Sequence, residues 1–185
     1  MSEFSESYHL IGRSEQEGID LLKRAGQGGL VFPAANDWVT MLPDHPIYTP
    51  NADLIRHNAG VLLHYVFAED HGWSFALYER DTLVSSYECD WNEEDIVNRD
   101  GETNLPALLE VLNRKLEREQ AIKEAEIARL LAPADFEEVS ELEPAYSFAE
   151  LLGLSNYAWL SFHYAERDYA DQADYIAGSG VIKVD

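Results

Sequence analysis

The amino-acid sequence predicts a single α+β domain, a mixed or mainly antiparallel sheet of five to seven strands covered by helices. Three observations predict it. The chain of 185 residues suits one domain, and its 46% apolar content is enough for an ordinary core without disulfides or structural metals. Period-two alternation recurs, most clearly in "HGWSFALYERDTLVSSYECDW" over 71–91. Helical spacing is clearest in residues 14–26 and in segments after 104.

Taken in order, Tyr8 to Ile11 predicts a short strand. Ser14 and Glu17 form the S-x-x-E pattern of a capping box, and Ile19, Leu22 and Ala25 follow at helical spacing. Gly26, Gly28 and Gly29 end that helix. "GLVFP" (29–33) and "DWVTMLP" (37–43) predict a hairpin, and "DHPIYTPNADLIRHNAG" predicts a loop with one helical turn at 52–58. "VLLHYVFAE" (61–69) is apolar on both faces, as in a central strand covered on both sides. In 73–78, Trp73, Phe75 and Leu77 oppose Ser74, Ala76 and Tyr78; after the turn at 79–82, Leu83, Ser85, Tyr87, Cys89 and Trp91 alternate with Val84, Ser86, Glu88 and Asp90.

Beyond Trp91, "NEEDIVNRDGETN" reads as an acidic loop. Residues 105–131 read as helix, either one long helix with an exposed middle or two helices, with Leu105, Leu108, Leu109, Leu112 and Leu116 as its stripe. "APADFEEVSELEPAYS" reads as a linker, "FAELLGLS" as a short helix stopped by Gly153, and 157–166 as a strand. The tail ends in a further strand after two glycines.

The charge sets bounds on partners. Asp and Glu number 35 against 13 Lys and Arg, a formal net of -22. The excess runs through both halves, with 14 acids to 5 bases in residues 1–92 and 21 to 8 in residues 93–185. Such a surface repels nucleic-acid phosphates and anionic membranes, so neither is an expected partner. It keeps a protein dissolved, and it attracts a basic protein. No run of about 18 apolar residues is present. One cysteine permits no internal disulfide, and the first residues lack a basic and apolar leader pattern. The expected location is cytoplasmic.

The order of segments resembles a family of uncharacterised bacterial proteins. The resemblance is carried by the early Tyr-His-Leu strand and by "GGLVFPAANDWVTMLPD", "GVLLHYVFAEDHGWSFALYERDTLVSSYECD" and "FAELLGLSNYAWLSFHY". It spans most of residues 8–165 and departs in the charged insert after 104. It implies the same α+β fold and assigns no reaction.

Candidate chemistry is sparse. His64, Glu69, Asp70 and His71 can meet at the start of the second hairpin and hold a divalent ion, although no H-E-x-x-H or paired-cysteine element supports them. Their plainer reading is as strand and loop residues. Counted from Asp90, an EF-hand loop would need Gly at Asp95 and Glu at Gly101, so that match fails. Cys89 falls on the aromatic face, which predicts an inert buried thiol. No P-loop, G-x-G-x-x-G or G-x-S-x-G fingerprint occurs, and no cofactor or catalytic residue is assigned.

Three functional classes follow: a non-catalytic binding or inhibitory, immunity-like protein; a small-molecule enzyme such as a hydrolase; and an assembly protein. For the first, Glu88, Asp90, Glu93, Glu94 and Asp95 are the expected contacts with a basic protein. For the third, a 27-residue helix over 105–131 would be about 40 Å long and would project from the sheet, inviting a homodimer through that helix.

Overall fold

A computed structural model describes residues 2–92, 95–99 and 101–185. Its strands are β1 (Phe4–Ile11), β2 (Gly29–Val31), β3 (Trp38–Pro43), β4 (Val61–Ala68), β5 (Gly72–Glu79), β6 (Thr82–Trp91), β7 (Ile96–Arg99) and β8 (Ile182–Val184). They form one open sheet in the order β7-β6-β5-β4-β1-β3-β2-β8, and every pairing is antiparallel. The fold class is therefore α+β, but the sheet has eight strands rather than five to seven.

Two segments alter the expected layout. The acidic loop contains β7, whose Arg99 and Val97 pair with Glu88 and Asp90 of β6. Four residues of mixed polarity are too few to show period two in the sequence. The segment 157–166 is not a strand. Leu160 makes only a brief sheet-like contact with β1, its carbonyl accepting from Glu6 N at 2.9 Å and its N–H donating to Ser5 Oγ at 3.0 Å. Trp159, just before it, adopts φ 54°, and helix α7 (Phe162–Ala170) starts two residues after Leu160. Phe162, Ala165 and Tyr169 pack with Leu30, Phe32 and Leu42, so the helical period of three to four wins over the apparent alternation.

Helix α1 (Glu15–Ala25) forms as expected and ends at Gly26, whose φ of 65° suits glycine. Its start differs in detail. Ser14 accepts from Gln16 N at 3.2 Å, but Glu17 reaches back to Arg13 N at 3.4 Å, so the reciprocal box does not close on Ser14. The helical turn expected at 52–58 is α2 (Ala52–His57).

The segment 105–131 resolves into α3 (Leu105–Lys115) and α4 (Glu124–Ala128). Asn113 holds the break in place: its side chain donates to Ile122 O at 3.0 Å and accepts from Ile122 N at 2.8 Å. Val111, Leu116, Ile122, Ile127 and Leu130 are all buried within the chain. No 40 Å helix projects here, and the apolar residues assigned to a partner helix are already covered. The linker holds α5 (Phe136–Leu142), which buries no residue and so leaves no apolar stripe to read. The short helix before Gly153 is α6 (Pro144–Leu152).

The strands alternate between two faces. On one face Tyr65, Trp73, Phe75, Tyr87 and Cys89 join Leu108, Leu112, Ile127 and Phe148 in the main core under α3, α4 and α6. The Phe75 and Phe148 rings stack with centroids 4.5 Å apart, Tyr65 Oη donates to Ala145 O at 3.0 Å, and Trp38 Nε1 donates to Leu152 O at 2.9 Å. On the opposite face α1 and α2 cover Tyr8, Leu10, Val31, Val39, Met41 and Leu62. That cover stops at β4. Gly72 brings β5 close to β6: at φ 138°, a Cβ there would lie 2.1 Å from Cys89 O. Among the described residues no helix is long and apolar enough to cross a membrane.

Candidate binding groove on the open half of the sheet

The uncovered half-face is a regular product of sheet register. Antiparallel partners lie on the same side, which places His64, Ala76 and Ser86 in one row across β4, β5 and β6. The next row is Val66, Ser74, Glu88 and Arg99, and the next is Ala68, Gly72, Asp90 and Val97. Tyr78 and Leu83 close the other end. The middle positions are small, so the floor is low, and the larger side chains stand around it. The result is a concavity of about 720 Å³ that these residues, Val97 excepted, line together with Tyr48, Pro50, His71 and Glu102.

Glu6 ties this groove to its wall. Its carboxylate is buried, with Oε1 2.7 Å from His64 Nε2 and Oε2 accepting from Tyr48 N at 3.0 Å. Tyr8 stacks on the His64 ring at 4.4 Å between centroids, and its hydroxyl accepts from Asn51 N at 2.9 Å. Burial pushes the Tyr8 hydroxyl well above its ordinary range. Asn51 in turn caps α2 by accepting from Leu54 N at 3.0 Å. The loop that carries Tyr48 is thus pinned at both ends. Tyr48 has φ 65°, and its hydroxyl is pushed up to about 12 by burial, with Glu6 and Tyr164 adding to the effect.

The other wall is acidic. Arg99 Nη1 bridges Glu88 Oε1 at 2.7 Å and Asp90. Glu102 accepts a long bond from Ser86 Oγ at 3.4 Å, and among the described residues it makes no ion pair. Burial, reinforced by Glu102, raises the Tyr78 hydroxyl above its ordinary value.

The residues singled out from the sequence divide accordingly. His64 lies in the floor and is held by Glu6. His71 lies on the rim with its ring 6.0 Å from that of Phe4. Glu69 accepts from Glu3 N at 2.9 Å, and Asp70 is exposed in the turn. Among the described residues no three His, Cys, Asp or Glu side chains gather as a metal site. Glu88 and Asp90 do face the groove; Asp95 is exposed beyond it, with its N–H on Asn92 Oδ1 at 3.0 Å. Glu93 and Glu94 lie outside the described residues. Cys89 is fully buried on the opposite face, and desolvation raises its thiol.

Sequence reasoning missed Tyr48, Arg99 and Glu102 as groove residues, and Glu6 as the carboxylate that anchors the wall behind them. Glu6 lies in the part of β1 before Tyr8, where serine and glutamate give no strand signal. Tyr48 and Glu102 come from loops, whose placement depends on tertiary contacts. A signal did exist for Tyr78, which shares its parity with Ser74 and Ala76.

No family model matches the chain, and no curated protein and no solved structure matches it. The resemblance to uncharacterised bacterial proteins therefore rests on the quoted segments alone.

Proposed function

We propose that this is a non-catalytic acidic binding protein, of the inhibitory or immunity-like kind, which takes a basic segment of a protein partner on the open half of its sheet. The observation that supports this reading is the groove itself. It is a wide sheet concavity with a floor of Ala76, Ser74 and Gly72, bordered by Glu88, Asp90 and Glu102. The chain's net charge of -22 draws a cationic partner towards it, and the local carboxylates orient that partner once it arrives. His64 is already engaged by Glu6, and Cys89 is sealed away, so the groove's chemistry favours holding a ligand over attacking one.

The test separates the groove from net charge. The probe is an octapeptide with four basic residues, titrated calorimetrically at physiological salt. A triple variant Glu88→Gln, Asp90→Asn, Glu102→Gln should weaken binding by about ten-fold or more, the scale of 1.4 kcal/mol. A control triple variant neutralises Glu119, Glu137 and Glu141, which are exposed and lie outside the groove. It should leave affinity within about two-fold, because distant charges are screened over about 8 Å at physiological salt. Equal loss in both variants, or no binding to the native chain, overturns the reading.

A further inference from the structure

We infer that the Tyr78 end of the groove is a receptor for one arginine guanidinium of an extended partner segment. This rests on the binding reading above and names what the groove selects.

The carboxylates on the groove are not equivalent. Glu88 and Asp90 already share Arg99, whereas Glu102 has only the long bond from Ser86 Oγ and no ion pair among the described residues. Glu102 is exposed on the rim, and the partly buried Tyr78 ring borders the same cavity. The free binding capacity of the acidic wall is therefore concentrated beside an aromatic face.

The chain itself displays the group that such a pair accepts. On α7, Arg167 lies over the Tyr164 ring at 5.5 Å from its centroid, while its Nε and Nη2 donate to Asp168 Oδ1 at 3.2 and 3.1 Å. One guanidinium there uses an aromatic face and a carboxylate together. Tyr78 and Glu102 offer the same two elements without an arginine of their own. A guanidinium is planar, carries five donors and stacks on rings, whereas an ammonium is a compact, strongly hydrated charge. Arginine is therefore preferred over lysine at this end.

The shape supplies the rest. From Tyr78 to Gly72 the floor follows β5 for about 20 Å at 3.3 Å per residue, room for an extended segment of about six residues.

The test uses three hexapeptides of Gly and Ser that differ only in one central Arg, Lys or citrulline. Binding is followed by amide NMR shifts of the full chain. The Arg peptide should bind about five-fold more tightly than the Lys peptide, and the uncharged citrulline peptide should bind weakest. Shifts should centre on Tyr78, Ser86 and Glu102. Glu102→Gln and Tyr78→Leu should each cut the Arg preference below about two-fold, whereas Tyr78→Phe, which keeps the ring, should retain it. Thermal melting identifies any variant that fails to fold, and the exposed Glu102→Gln stands as the independent arm. Equal Arg and Lys binding, or an Arg preference unchanged by Glu102→Gln, overturns the guanidinium assignment and leaves the binding function intact. Failure of all three peptides to shift any groove amide overturns the guanidinium assignment, and the octapeptide titration then decides the binding function on its own.

Discussion

Strands β5 and β6 carry two surfaces of opposite character only one residue apart in sequence. Trp73, Phe75, Leu77, Tyr87 and Cys89 point into the main core and are at most 2% exposed. Ser74, Ala76, Tyr78, Ser86, Glu88 and Asp90 point the other way and line the groove. The backbone hydrogen bonds are common to both. The difference lies in what covers each face: α3, α4 and α6 on the first and, among the described residues, no helix on the second beyond the reach of α1 and α2. A strand pair that is anchored on one side can leave its other side open without losing rigidity. Such a surface is preorganised, so a ligand has little ordering cost to meet there.

The contrast can be broken most sharply at adjacent positions. Phe75 packs against Trp73, Tyr87 and Phe148, with ring centroids 4.5 to 6.2 Å away. Phe75→Ala should lower unfolding stability by about 3–5 kcal/mol, through lost burial and an unfilled cavity. The neighbouring Ser74→Ala should stay within about 0.5 kcal/mol, because it alters a partly exposed side chain with no packing role. Urea denaturation measures both. Similar losses at the two positions would mean that the groove floor is part of the load of folding rather than free for a ligand.

How much of this was legible depended on length and on cover. Helix α1 and strands β5 and β6 were readable because each repeats its period over eight or more residues, and β4 because it is a nearly continuous apolar run of eight residues. Strand β7 and helix α5 were not, since the first has four residues and the second buries none. Segment 157–166 satisfied two periods at once, and contact with Leu30 and Leu42 decided for helix at Phe162. The groove was half legible. Parity alone puts Glu88 and Asp90 opposite Cys89, but neither parity nor composition shows that one half of a sheet face lacks a helix. That absence is a tertiary fact, as is the return of Glu102 beside Tyr78.

The sealed face also carries a polar group, and pH provides a second way to test it. His9 is fully buried between Ser7 Oγ at 2.8 Å and Thr40 Oγ1 at 3.1 Å, with Trp38 and Tyr65 edge-on to its ring. Burial, and to a smaller extent His64, pushes its pKa down to about 3. The ring is neutral in the folded chain and takes up a proton near pH 6.5 when unfolded. Its contribution is therefore fully present above about pH 6.5 and is lost as pH falls towards 3, at up to about 1.4 kcal/mol per pH unit. In His9→Gln that component should vanish, while every other titrating group is retained. Urea melts of both proteins between pH 7 and 4.5 should show stability falling more steeply for the native chain. Parallel slopes would show that His9 is accessible to protons in the fold.

The smallest effect is expected where the groove is most charged. Arg99 and its partners Glu88 and Asp90 are about half exposed, with side-chain exposures of 53%, 51% and 42%. Ion pairs of that kind contribute about 0–1 kcal/mol, since water already solvates the charges and ordering three side chains costs entropy. Removing Glu88 and Asp90 also relieves repulsion in a chain of net charge -22, which opposes the loss of the pairs. Glu88→Gln with Asp90→Asn should therefore leave unfolding stability within about 1 kcal/mol of the native chain, in urea melts at low and at physiological salt. The same double variant should weaken binding of the basic octapeptide, because a ligand's cations approach these carboxylates directly. A large loss of stability would assign Glu88, Asp90 and Arg99 to holding β7 in place. A small one, paired with lost binding, marks the open face as the part of the sheet kept for a partner.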